Sequence, residues 1–208
     1  MAKAKKTAPT IHGESKTFKL AAPITGVGDE PIAQITVREP LLSDRGEAER
    51  KHPSSPAEQA IFLIARLTDI SEQAAKRMKT RDAVRIRKWI FGLSVLENHD
   101  GGDRSGVRAF DLMVPVPTDD EPLERLTVRE PDLESAIAAE KFENETDQTA
   151  ATIALLADTT IPVVKRMAVR DIDRIEGWLR PFLTGEMTTD EDDPDEINSP
   201  ESEPAGAI

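Results

Sequence analysis

The chain has 208 residues and no cysteine, which excludes disulfides and thiolate metal sites and is consistent with a reducing cytoplasm. No run approaches the roughly 20 apolar residues that a membrane span needs, and the first residues lack the apolar stretch of a secretory signal. The net charge is −12, but nine acidic residues lie between Glu186 and Ile208, and the rest, with 27 basic and 30 acidic residues, lacks the basic footprint of a nucleic-acid-binding protein.

The first element along the chain is a predicted flexible basic arm over residues 1–14, followed by a predicted β-hairpin. Two short extended runs, Phe18–Ile24 and Ile32–Val37, are separated by the turn-forming segment Thr25–Asp29. Such a pair of runs around a turn is typical of a hairpin. Pro40 disfavours a helical residue before it and ends the second strand.

Helices are predicted after the hairpin. Ser55, Pro56 and Glu58 combine a cap, a proline at the first helical position and a glutamate that reaches back to the cap. Ser71 caps a short helix, and Thr80 precedes a last helix with a regular apolar stripe. The stripe consists of Ala83, Ile86, Ile90 and Leu93. The sequence therefore predicts an α+β unit, with a hairpin followed by three or four helices.

The same sequence pattern then recurs in the second half of the chain. The string from Asp29 to Pro40 recurs from Asp120 to Pro131, 91 residues later, and the string from Lys76 recurs from Lys165, 89 residues later. The second stripe is formed by Ile172, Ile175, Leu179 and Phe182. We interpret the chain as two tandem copies of one unit. Unit 1 spans residues 15–97, a Gly-rich linker spans 98–106, and unit 2 spans 107–185.

Residues 186–208 form an acidic tail that is rich in Pro, Ser and Thr. The tail has almost no large apolar groups with which to offset its ordering entropy, so we predict that it is disordered. It is either a solubilising tail or an acidic interaction arm.

No signature of catalysis is found. His12, His52 and His99 lie in predicted loops or the arm, and they do not have metal-ligand spacing. Neither a phosphate-binding loop nor a nucleophile elbow is present. We expect a protein that is not an enzyme and needs no cofactor or metal.

The polar groups that recur in both units are the candidate partner-binding residues, together with one tryptophan per unit. Each group has a structural alternative, because acidic residues in a first helical turn complement the helix dipole and Arg–carboxylate pairs fix how elements meet. The candidates for partner contact are Arg38, Glu39, Arg129, Glu130, Trp89 and Trp178. For the Arg-Glu pairs, the pairs Arg81-Asp82 and Arg170-Asp171, and the tryptophans, we favour the structural role.

This layout resembles the tail assembly chaperone family of Mu-like and P2-like bacteriophages. The resemblance rests on the Thr-Val-Arg-Glu-Pro motif at residues 36–40, the Ile-Ala-x-Leu motif at 64–69, and the Lys-Arg-Met and Arg-Asp motifs within 76–93. Their counterparts lie at 127–131, 153–158 and 165–182. It implies a non-enzymatic protein in the host cytoplasm, absent from the mature virion. Its expected partners are the phage tape measure protein, which it would keep soluble, and the tail tube protein, which it would help to recruit.

The chain departs from the resemblance in having two units where typical members look like one. The second unit would replace an extension found in longer family products, or the two units would pair as a built-in dimer. A homo-oligomer is a further expectation. The alternative function is a structural tail or baseplate component that stays in the virion. A regulatory role with nucleic acid is disfavoured by the nearly neutral body.

Overall fold

A computed structural model describes residues 13–25, 30–92 and 106–184 of the chain. The predicted basic arm, linker and acidic tail lie almost entirely outside these residues. The first described half begins with a hairpin and continues with four helices. Its elements are β1 Ser15–Thr25, β2 Pro31–Arg38, α1 Leu42–Lys51, α2 Pro56–Thr68, α3 Glu72–Lys76 and α4 Thr80–Gly92.

The second half has the same order of elements. They are β3 Val107–Val116, β4 Leu123–Arg129, α5 Leu133–Ala139, α6 Glu145–Leu156, α7 Ile161–Val164 and α8 Val169–Thr184. The predicted α+β class, with a hairpin before three or four helices, is confirmed. The first strand extends beyond the predicted Phe18–Ile24 at both ends.

Each hairpin is an antiparallel pair with an irregular far end. Phe18 lies opposite Ile35, and Phe110 lies opposite Leu126. In both hairpins the register shifts beyond this point, after Lys19 and after Asp111. Because side chains alternate between the faces of a strand, one face of each hairpin is apolar and packs on the helices.

The helix starts follow from local capping. The Ser55 hydroxyl accepts the backbone N–H of Glu58, and the Ser71 hydroxyl accepts that of Ala74, as the sequence predicts. In the second half Asn144 accepts the N–H of Asp147 in the same way. These bonds satisfy donors that a helix N-terminus leaves unpaired.

The last helices carry the two cores. Ile86 on α4 and Ile175 on α8 are fully buried, as expected from the apolar stripe. Ile86 belongs to a cluster formed by the first half, and Ile175 belongs to a cluster built mostly from the second half. Leu93, the last residue of the first apolar stripe, lies outside the described residues.

One residue of the first half joins the core of the second. Leu42, the first residue of α1, is fully buried among the apolar side chains of the second half. Its backbone N–H donates to the carbonyl oxygen of Met167 at 3.0 Å, and Leu41 forms an isolated antiparallel bridge with Ala168. Helix α1 was not singled out by the sequence patterns, yet it connects the two halves.

This packing predicts that Leu42 and Leu133, which occupy equivalent positions 91 residues apart, contribute unequally to stability. Leu42→Ala should lower the free energy of unfolding by about 2–5 kcal/mol, because it leaves a cavity in the second core. Leu133→Ala should change it by less than about 0.5 kcal/mol, because Leu133 is 83% exposed. Urea denaturation at low protein concentration measures both. Equal losses would contradict this assignment of the two leucines.

Candidate partner-binding site

The recurring Arg-Asp pairs contain a carboxylate that fastens the last helix of each half to its first strand. Asp82 on α4 accepts the backbone N–H of Ala21 at 2.9 Å. Asp171 on α8 accepts the N–H of Met113 at 3.0 Å. Both carboxylates are buried, so they hold the strand through bonds that are shielded from water. Both aspartates therefore have the structural role that the sequence favours for them.

The arginines that precede these aspartates have different surroundings. Arg81 is exposed. Arg170 is buried, and its Nε lies 2.7 Å from Oε1 of Glu39, across the contact between the halves. Arg170 also donates to the Glu14 carboxylate at 3.1 Å. The two copies of the motif therefore share the aspartate's role but not the arginine's.

Arg38 is held within the first half by a buried carboxylate. Its guanidinium donates to both carboxylate oxygens of Asp44, at 2.8 and 3.0 Å, and Arg66 donates to Asp44 at 2.5 Å. The hydrogen bond to Asp44 raises the pKa of Arg38. Burial alone would raise the pKa of Asp44, but the bonds from Arg38, the Leu41 backbone and Arg66 leave it lowered. Arg38 is still 28% exposed and lines a concavity beside Phe62.

Glu39 is also engaged inside the chain. Its side chain is buried, it accepts the backbone N–H of Glu14 at 3.0 Å, and it pairs with Arg170. Burial raises the pKa of Glu39, whereas the charge of Arg170 and the bond from Glu14 lower it, and the net shift is upward. A partner could reach this carboxylate only if the two halves separated.

The second copies, Arg129 and Glu130, are exposed. Arg129 donates to Asp132 at 2.9 Å, and this bond is the largest contribution that lowers the pKa of Asp132, to about 2. The difference from the first half has a simple cause. Ser135 stands at the position equivalent to Asp44, so Arg129 lacks the buried carboxylate that holds Arg38.

The tryptophans pack on the hairpins. Trp178 is buried and lies edge-on to Phe110, with 5.9 Å between ring centroids. Trp89 is half-buried and meets Phe18 in the same way at 6.1 Å. Such contacts add to the burial of apolar area. Trp178 is thus a core residue, and Trp89 is a core residue with one edge in solvent.

A cleft beside α5, α6 and α8 is a candidate place for a partner. It encloses about 630 Å³. Apolar side chains in its lining include Pro131, Ile153, Leu179 and Leu183, and charged ones include Arg45, Glu140, Glu145, Asp173, Glu176 and Arg180. A cleft lined by both apolar and charged side chains suits an amphipathic partner helix.

One carboxylate in this cleft is perturbed. Burial raises the pKa of Glu176, against the opposing effect of the Thr149 hydroxyl, which donates to it at 2.6 Å. Glu176 therefore takes a proton more readily than an exposed glutamate does.

Two further apolar residues near the cleft were not predicted as functional. Leu133 is 83% exposed and Ile137 is 61% exposed, one turn apart on α5. Large apolar side chains that share a helix face in solvent point to an interaction surface. Their i, i+4 spacing in the sequence indicates that they share one face of a helix, but it does not distinguish an exposed face from a buried one.

The described residues contain no group of three or more His, Asp or Glu side chains that could hold a metal ion. His52 shares a hydrogen bond with Glu58, and His12 and His99 lie outside the described residues. None of the described helices is both long and apolar enough to span a membrane.

Comparison with known proteins gives one match. Residues 17–94 match a family described as phage tail assembly chaperone proteins, E, or 41 or 14. This range runs from β1 to the end of α4 and covers most of the first half. No curated protein matches the chain, and no solved structure matches it.

The Asp44 network predicts a pH-dependent loss of stability. Asp44→Asn should lower the free energy of unfolding by about 1–3 kcal/mol at neutral pH, because the buried carboxylate binds two guanidinium groups. The folded-state pKa of Asp44 is depressed, so its contribution is present above the unfolded pKa and is lost as the pH falls through the folded one.

Urea denaturation of both proteins between about pH 7 and pH 2 would measure this effect, since the difference should shrink toward acid. Asp119→Asn is the matched control and should have little effect, because Asp119 is exposed in the turn between β3 and β4. A difference that grows toward acid would contradict the assignment.

Proposed function

We propose that the whole chain is a tail assembly chaperone whose client is the tape measure protein, because residues 17–94 match the phage tail assembly chaperone family. The family match is the observation that carries this proposal. Membership implies binding to phage tail proteins during assembly. The choice of the tape measure protein as the client, and of the tail tube protein as a second partner, is our inference.

The second half is, in this proposal, a second copy of the same unit. Several equivalent details support this. Asp69 and Asp158, 89 residues apart, both adopt positive φ, at 56° and 49°. Arg85 donates to the carbonyl oxygen of Lys19, and Arg174 donates to the equivalent carbonyl of Asp111. Unrelated sequences would not be expected to share such unusual backbone and side-chain features.

The cleft and the exposed motif residues are the proposed client contacts. A long helical protein with apolar faces would aggregate if left uncovered. Leu183, which is 57% exposed at the cleft, would pack on such a face. Arg129 and Glu130 precede the cleft residue Pro131, and both are exposed where a client could contact them. Arg38, Glu39 and Trp178 are less suited to this role, since their bonds and packing lie within the chain.

The proposed activity is binding without catalysis. The client would be covered by side-chain contact, so no nucleotide is required. The chaperone would act in the host cytoplasm and leave before the virion is complete.

Co-expression tests the client. A tape measure protein that is insoluble alone should become soluble with this chain, and the two should co-purify without ATP. Since apolar contact carries the binding, the complex should survive moderate salt. If the client stays insoluble and does not co-purify, the chaperone assignment is wrong. Abundant chain in purified virions, detected by mass spectrometry, would instead support a structural tail component.

Variants of the cleft test where the client binds. Leu183→Asp and Arg129→Ala should each reduce client binding by about tenfold or more, because each removes a contact without disturbing the core. Met113→Asp is the matched control, since Met113 is 50% exposed on β3. Binding by isothermal calorimetry and folding by circular dichroism would be measured together. Folded variants with full affinity would place the client elsewhere.

A further inference from the structure

The contact between the two halves joins unlike surfaces. One half contributes Glu39 and one face along α1, which we call the donor face: Glu39, Leu42, Gly46, Glu49 and Arg50. The other contributes the start of α6, the turn before α8 and the first turn of α8, which we call the acceptor face: Thr146, Asp147, Met167 and Arg170. Such a contact is heterologous, so each unit carries both kinds of face.

Polar pairs fix the donor on the acceptor. Glu39 pairs with Arg170 at 2.7 Å, and Arg50 lies 3.5 Å from Asp147. Glu49 accepts the backbone N–H of Thr146, near the N-terminus of α6. Around Leu42 these contacts supply charge complementarity on both sides of the buried leucine.

The internal contact uses the donor face of unit 1 and the acceptor face of unit 2. The donor face of unit 2 remains uncovered. Its residues stand 91 positions after those of unit 1 and are all exposed: Glu130, Leu133, Ile137, Glu140 and Lys141. The leucine and both glutamates are unchanged, Lys141 keeps the positive charge of Arg50, and Ile137 replaces Gly46.

The acceptor face of unit 1 is likewise mostly open to solvent, and of its four residues Met78 is the buried one. Its residues stand 89 positions before those of unit 2: Ala57, Glu58, Met78 and Arg81. Ala57, Glu58 and Arg81 are exposed. The ion pairs of Glu39 with Arg170 and of Arg50 with Asp147 have counterparts of the same sign, so Glu130 would meet Arg81 and Lys141 would meet Glu58. The longer internal pair of Arg45 and Glu145, at 3.9 Å, has no counterpart, because Ala136 and Pro56 stand at those positions. Glu140 would accept the backbone N–H of Ala57.

The one change of size on the donor face is matched by a change on the acceptor face. A Cβ atom on Gly46 would lie 2.9 Å from Cγ2 of Thr146, so a larger residue would not fit there. On the two uncovered faces, Ile137 of unit 2 stands at the position of Gly46, and Ala57 of unit 1 stands at the position of Thr146. The smaller acceptor residue makes room for the larger donor residue.

We propose that the donor face of unit 2 docks on the acceptor face of unit 1 in a second copy of this chain. Leu133, nearly fully exposed in one copy, would be buried against Met78 of the next, as Leu42 is buried against the second half. Each added copy presents the same free donor face, so association continues as an open chain or closes as a ring. This inference does not depend on the identity of the client.

Sedimentation velocity of the purified chain tests this proposal. Protein concentrations from about 5 μM to 500 μM would detect association with a micromolar dissociation constant. The wild-type chain should form species larger than a dimer as the concentration rises. Leu133→Asp and Ala57→Arg should each weaken association by about 30-fold or more, because each places a charge in the proposed contact. Met113→Asp should associate like the wild type.

Mixing the two variants gives the sharpest result. Leu133→Asp has an intact acceptor face and Ala57→Arg has an intact donor face, so the mixture should form a one-to-one dimer and nothing larger. Arg81→Glu replaces Ala57→Arg if that variant does not fold by circular dichroism. A symmetric contact would not give this pattern.

Several results would overturn the proposal. The proposal is wrong if the wild-type chain stays monomeric at the highest concentration. It is also wrong if the chain associates but neither variant weakens the association. If Leu133→Asp loses tape measure binding while the wild type remains monomeric, α5 serves a client and not a second copy. Because association is measured on the chain alone, its failure leaves the chaperone proposal standing.

Discussion

The insertion of Leu42 into the second core is the contact on which the arrangement of this protein depends. A leucine that is fully removed from water stabilises by about 1.5–3 kcal/mol, and here it does so between two halves that are each small. The backbone bonds from Leu42 to Met167 and from Val169 to Pro40 fix its depth. Once α1 is seated, Glu39 and Arg170 are buried together, and the Thr-Val-Arg-Glu-Pro motif of the first unit becomes part of an internal contact.

The same insertion separates the roles of two nearly identical motifs. Arg38 and Glu39 are held by Asp44 and Arg170, whereas Arg129 and Glu130 are exposed. One copy of the motif is engaged in packing between the halves, and the other copy is exposed to solvent. A repeated sequence motif can therefore contribute to an internal contact in one place and to the surface in another.

Much of the fold could be predicted from the sequence because its signals are local. The turn between two apolar runs predicts the hairpins, the caps at Ser55 and Ser71 predict helix starts, and the stripe through Ile86 predicts a buried face. Helices α1 and α5 were not singled out because α1 is mostly polar and contains Gly46. Leu42 and Leu133 follow equivalent prolines in equivalent motifs, yet one is buried and the other exposed. No local pattern distinguishes them, because the difference comes from which unit lies beside each.

The site was only partly predictable for the same reason. Sequence reasoning identified the repeated arginines and glutamates but could not say which copy is engaged, since this depends on the substitution of Asp44 by Ser135 and on contacts between units. The cleft beside α5, α6 and α8 requires three elements to converge, and one of its lining residues, Arg45, comes from the other half.

An engineered disulfide between the two halves tests the docking of α1 on α6 most directly. The chain has no cysteine, so Gly46→Cys with Thr146→Cys provides the only pair. A Cβ atom at position 46 would lie 3.5 Å from Cβ of residue 146, which is within the range that a disulfide spans. On mild oxidation at low protein concentration, the double variant should form an intramolecular disulfide. Both free thiols should then be lost, and the mass of the monomer should fall by two hydrogens. Thiols that stay free, or that link only separate chains, would contradict the account.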